Sequence, residues 1–158
     1  MGRISVKENK NEYQLVRDTL KMSRDAVEEA TNGLISANRL EKIENGSTAP
    51  RPEDVVLMAD VYNEPRLCNY YCVNECAIGK SHVPAVGNIH ELPQIAMQLL
   101  SNLNALNKDK ERLIDITADG QITAEELADF KTFRSHLDDM SMAIEALKIW
   151  ADKEIDYD

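Results

Sequence analysis

The stretch Ile35-Ser36-Ala37-Asn38-Arg39-Leu40-Glu41-Lys42-Ile43-Glu44-Asn45-Gly46 leaves the chain little conformational choice. Ser36 is an N-cap residue whose hydroxyl can accept a hydrogen bond from a free amide in the first helical turn. Leu40 and Ile43 stand three apart and so share one face of a short helix. Asn45-Gly46 supplies the left-handed residue that stops it. Its outward face then carries Asn38, Arg39 and Lys42. A short helix pinned from below and offering small, amide and cationic groups has the design that the DNA major groove accepts.

The flanking residues extend the same helical reading. Asn11 to Lys21 predicts a first helix with Tyr13, Val16, Leu20 and Met22 on its inner face. Ser23 caps a second, Arg24 to Thr31, burying Ala26, Val27 and Ala30, and Asn32-Gly33 makes the turn into the 35–46 helix. Ser47-Thr48-Ala49-Pro50-Arg51-Pro52 is a polar loop. Pro52 fits the first position of a fourth helix, with Glu53 and Asp54 at its positive end, and that helix runs to Tyr62 before Pro65.

Ser23-Arg24, Ser36, Leu40, the Lys42-Ile43-Glu44-Asn45-Gly46 ending and the Pro52–Tyr62 helix together resemble the Cro/lambda-repressor-type (XRE) helix-turn-helix family over residues 11–65. The resemblance implies that Ser36, Ala37, Asn38 and Arg39 face base edges of double-stranded DNA. It also implies that Arg24, Lys42, Ser47 and Thr48 approach the backbone. Arginine can bond guanine bidentately, asparagine can bond adenine, and the alanine methyl suits a thymine methyl. Two departures stand out. Arg24 occupies a position where the family usually has glutamine, and the turn before Ser36 is about two residues longer.

Charge argues the other way at first, since the chain carries a net −10. Residues 1–66 hold 10 Lys/Arg and 12 Asp/Glu, however, and residues 67–158 hold 8 and 16. The acidity therefore sits mostly outside the 11–65 region, where it cannot directly oppose phosphate contacts. The near-neutral head still implies modest, salt-sensitive attraction to DNA.

Cys68, Cys72 and Cys76 recur every four residues, with His82 beyond them. Thiolates near an imidazole are zinc or iron–sulfur chemistry. In a continuous helix, though, the outer two Cα atoms stand about 12 Å apart, too far for one tetrahedral ion. A metal would need a broken helix, one cysteine pair with His82, or a partner chain. The competing expectation is an apolar cysteine stripe packed on the bundle, with no cofactor. Gly79-Lys80-Ser81 lacks the upstream glycine of a phosphate loop.

Beyond a connector bearing Pro84, Gly87 and Pro93, Ile95, Leu99, Leu103, Leu106, Leu113 and Ile116 mark a long amphipathic helix. Phe133, Leu137, Met140, Ile144, Leu147 and Ala151, spaced 4, 3, 4, 3, 4, mark a second with a coiled-coil seam. The short joint makes the two antiparallel. Leftover apolar positions such as Leu100, Leu127, Phe130 and Ile149 then predict a second subunit. The joint, Asp115 to Glu126, nearly spells a calcium-binding loop, but Thr117 stands where the third position asks for a carboxylate or amide. Asp119-Gly120 as a turn, and Thr123 with Glu126 as a capping box, account for the same residues.

The expectation is thus an all-α chain: a helix-turn-helix domain over residues 8–66, a cysteine-bearing segment over 67–92, and a dimerising helical hairpin over 93–158. No apolar run reaches the roughly 18–20 residues of a membrane helix. Met1 to Val6 has neither a signal-peptide core nor the Ser/Thr that myristoylation expects at position 6. The odd cysteine count fits reduced thiols in a cytoplasm. His82, His90 and His136 are scattered with no nucleophile–base pair, so no enzyme is expected. The leading expectation is a dimeric transcriptional regulator on a pseudo-palindromic operator. The alternatives are an assembly adaptor with a non-binding head and a metal- or redox-responsive regulator using the three cysteines.

Overall fold

The computed structural model describes residues 10–87 and 91–155, all-helical and divided into two compact units, Met1–Val83 and Pro84–Asp158. The 67–92 and 93–158 boundaries expected from sequence span residues 88–90 and 156–158, and His90 also lies outside the described residues.

The first unit contains α1 (Glu12–Thr19), α2 (Arg24–Ala30), α3 (Ala37–Glu44), α4 (Pro52–Tyr62), α5 (Arg66–Asn74) and the single turn α6 (Gly79–His82). Side-chain oxygens open the first three: Asn11 accepts from the Gln14 amide, Ser23 from Ala26, and Ser36 from Arg39. Each satisfies an amide that has no partner within its helix. Gly46, at φ 72°, closes α3 with the Gly46 amide on the Ile43 carbonyl and the Ser47 amide on Lys42. That paired arrangement needs a left-handed residue, which glycine adopts without a Cβ penalty.

The core gathers Tyr13, Val27, Ile35, Leu40, Ile43, Val55, Met58, Ala59, Tyr62 and Leu67. Helical spacing anticipates most of these positions. Leu20 and Ala30, expected inside, are exposed. Leu20 is the C-cap of α1 and Ala30 the last residue of α2. The longer turn before α3 has a structural use: Ile35 is fully buried, and its amide donates to the Thr31 hydroxyl. The cysteine helix α5 adds Leu67 to this core. Tyr13 donates to Glu75 at 2.7 Å and meets the Tyr70 ring edge-on. Gly79 packs so closely on α5 that a Cβ there would lie 2.1 Å from the Cys72 carbonyl oxygen.

Beneath α3 the core is ionic. Arg17 reaches Glu44 through Nε at 2.5 Å and Nη2 at 2.8 Å, and donates Nη1 to the Met22 carbonyl. Arg24 Nε joins the same carboxylate at 2.8 Å. The Glu44 side chain has no exposed surface and that of Arg17 has 8%.

The second unit pairs α7 (Leu92–Thr117) with α8 (Leu127–Glu154). Contacts of Arg112 with Asp129 and of Asp109 with His136 run in opposite directions along the two helices, so they are antiparallel. The seam expected on α8 is shifted. Leu137 and Ile144 are 45% and 41% exposed, while Ala143 is buried. The line against α7 places His136 at 2.6 Å from Asp109, a polar contact that apolar spacing cannot anticipate. Leu103 of α7 is likewise exposed. The Thr123 amide donates to the Glu126 carboxylate, one half of the capping box, but the Thr123 hydroxyl donates to the same carboxylate instead of accepting the Glu126 amide, which goes to the Thr123 carbonyl; a turn intervenes and α8 opens at Leu127.

Glu44→Ala is expected to destabilise the first unit by about 3–5 kcal/mol, because it leaves Arg17 buried without its counter-charge. Urea unfolding followed by far-ultraviolet circular dichroism measures it.

Candidate nucleic-acid interface

Helix α3 is amphipathic, with Leu40, Ile43 and Glu44 buried and Asn38, Glu41 and Lys42 exposed. Ser36 and Ala37 are half-buried at its N-terminus. Ser47 is exposed and Thr48 half-buried in the loop beyond, where the Ser47 and Thr48 amides both donate to the Lys42 carbonyl. The short turns of α3 bring Ser36, Ala37, Asn38, Lys42, Ser47 and Thr48 onto one connected stretch of chain.

The two arginines are differently engaged. Arg39 turns toward α4, donating Nε to Asp54 at 2.8 Å and Nη2 to the other oxygen of that carboxylate. Asp54 also accepts the Arg51 amide at 2.7 Å, so a single carboxylate caps α4 and ties it to α3. Burial of Asp54 opposes its ionisation, but the Arg39 and Arg51 hydrogen bonds outweigh this and hold its pKa below the ordinary value. The same bond raises that of Arg39. Arg24 spans Glu44 and, at 3.6 Å, Glu41, with its side chain 28% exposed.

A carboxylate sits at the start of α3 as well: Glu28 accepts the Ala37 amide at 2.8 Å. Sequence reading missed this contact, the Asp54 tie and the Arg17–Glu44 pair. The last was open to detection, because Arg17 follows Tyr13 by four residues and Glu44 follows Leu40 by four. Helical spacing therefore puts both charges on buried faces, where each needs a partner.

Cys68, Cys72 and Cys76 are all half-buried and in no disulfide, and Cys76 Sγ accepts the Gly79 amide at 3.4 Å. Burial, with Asp60 and Cys72 nearby, pushes the Cys68 thiol pKa up, which disfavours the thiolate. His82 is exposed at the end of α6. In the 115–126 joint, Asp115 and Thr117 belong to the last turn of α7, and Asp119 accepts the Gln121 amide. Among the described residues, no three His, Cys, Asp or Glu side chains group in a way that could hold a metal ion. None of the described helices is long and apolar enough to cross a membrane.

Among known protein families, the helix-turn-helix family matches this chain over residues 14–66, from the third residue of α1 to the start of α5. No curated protein and no solved structure matches the chain.

The Arg39–Asp54 tie has a defined pH signature. Because the Asp54 pKa is lower in the folded chain, its stabilisation is present above the unfolded carboxylate value of about 3.9 and fades as pH falls below it. Arg39→Ala is therefore expected to lower the urea midpoint near neutral pH, with its difference from the wild type closing as the solution is taken below about pH 3. A difference that persists undiminished at low pH would contradict the assignment.

Proposed function

Residues 14–66 belong to the helix-turn-helix family, of the Cro/lambda-repressor type, and from this premise we propose that the chain is a sequence-specific transcriptional regulator. It acts in the cytoplasm as a homodimer on a pseudo-palindromic operator. The observation that carries the reading is α3 itself: a capped, core-anchored helix with Asn38 and Lys42 exposed along it and Ser47 exposed just beyond its end.

In this reading Ser36, Ala37 and Asn38 meet base edges, and Asn38 carries most of the discrimination because its amide can bond an adenine bidentately. Arg39 contributes less than sequence alone suggests, since reaching a guanine means sharing or leaving Asp54. Lys42, Ser47 and Thr48 meet the backbone. Arg24 joins them by exchanging its long contact with Glu41 for a phosphate oxygen. Glu28, Glu41 and the near-neutral charge of the head weaken each single encounter. Two linked heads restore tight binding through effective concentration.

Dimerisation falls to the hairpin. Leu100, Leu137 and Ile144 are exposed on the two helices that make up the described part of the second unit. Exposed apolar side chains on such a hairpin support an interaction site there. Half-sites about one helical turn apart follow for a two-fold dimer.

A second reading, an assembly adaptor whose head has lost DNA binding, is favoured by the carboxylates that occupy Arg24, Arg39 and the Ala37 amide. Selection of bound fragments from random-sequence DNA by the purified full-length chain at low salt separates the two. The regulator reading expects an enriched pseudo-palindrome. Asn38→Ala should weaken binding to it by roughly tenfold, and Lys42→Ala should reduce the salt slope by about one. No enriched sequence, with binding indifferent to Lys42 and to salt, establishes the adaptor.

A further inference from the structure

The second unit contains a cavity of about 500 Å³, walled by the 85–87 segment, the first turns of α7 and the later half of α8. That volume lies within the range of small-molecule sites. Its floor is apolar. Ile95 and Ala143 are 3% and 5% exposed, and Met142 and Ala146 extend the same surface. Ala143 and Ala146 stand three apart on one face of α8, where larger side chains would fill the space.

Three polar side chains complete the wall: Gln94, Gln98 and Asp139. Asp139 precedes Ala143 by one helical turn, and among the described residues it has neither an ion-pair nor a hydrogen-bond partner. Gln98 donates Nε2 to Asn102 at 3.2 Å, so its amide oxygen remains available as an acceptor. Asn102 is itself 7% exposed, and its Nδ2 has no partner among the described residues. No lysine or arginine lines the cavity. Residues 67–158, with 8 basic and 16 acidic side chains, bias the local field toward positive charge.

We propose that this cavity binds a small amphipathic organic cation, an amine carried on an aryl or alkyl body. The ammonium meets the Asp139 carboxylate and donates to the glutamine amide oxygens. The apolar body lies over Ile95, Met142, Ala143 and Ala146. An anion is disfavoured by Asp139, and a fully apolar ligand would make no use of the Asp139 carboxylate or the Gln98 amide oxygen. The site does not depend on the DNA-binding reading.

The test uses the full chain, isotope-labelled for amide NMR and titrated with phenylbutylamine and with its neutral analogue phenylbutanol. Saturable shifts are expected at residues 85–87, 94–98 and 139–146, with the amine binding about fivefold more tightly than the alcohol. Asp139→Asn, an exposed substitution, should abolish that preference while leaving alcohol binding intact. Ala146→Leu should fill the space and remove both. The proposal is overturned if the amine gives no saturable shifts there, if amine and alcohol bind alike, or if Asp139→Asn leaves the preference unchanged. It is equally overturned if Met142→Glu dissociates a dimer whose 139–146 amides never respond to the amine, since a second copy then fills the cavity.

Discussion

Everything on the first unit's α3 surface depends on one buried carboxylate. Glu44 sits at the last turn of α3 with no exposed side-chain surface, gripped from below by Arg17 and from the side by Arg24. A carboxylate in that position is tolerable only when its charge is matched and its oxygens are hydrogen-bonded. The match fixes three helices at once, because Arg17 belongs to α1, Arg24 to α2 and Glu44 to α3. The orientation of α3 is therefore set by charge geometry as well as by the apolar contacts of Leu40 and Ile43. Apolar contacts alone tolerate small rotations, whereas a bidentate guanidinium–carboxylate pair does not.

A second carboxylate repeats the device at the other side of the helix. Asp54 caps α4 and holds Arg39, so α3 is tied to α4 as α1 and α2 are tied to it through Glu44. These ties have a consequence for the surface. Cations that a helix of this kind could offer outward are partly turned inward to position it. Among the described residues, the side chains of Asn38 and Lys42 on the exposed face make no hydrogen bond or ion pair. Rigidity and outward charge compete for the same arginines here.

The hairpin poses the opposite problem. Its contact line carries Asn102, Asp109 and His136 alongside Ile95, Ile116, Ala143 and Ile149, while Leu100, Leu137 and Ile144 face outward. Two helices can bury only one stripe each, so a sequence with apolar residues on two faces must leave one uncovered. His136 and Asp109, each about a third exposed, pair across this line where apolar spacing alone would expect a hydrophobic seam.

Local chemistry settled much of the chain. The Ser23 and Ser36 caps, the left-handed Gly46, the Pro52 start and the 3.6-residue periodicity are each decided within a few neighbouring residues, so most of the helix boundaries and of the 11–65 core were legible without coordinates. The resemblance of that region to a helix-turn-helix was legible for the same reason, since it rests on caps, turns and spacing. Tertiary structure alone decided where the long side chains go. Arg39 could point to solvent or to Asp54, and Arg24 to solvent or to Glu44. Nothing within one helix distinguishes these, because the partner lies 15 or 20 residues away in the chain. It also decided which face of α8 is buried, because apolar residues on two faces of one helix leave that choice to the helix packed across from it.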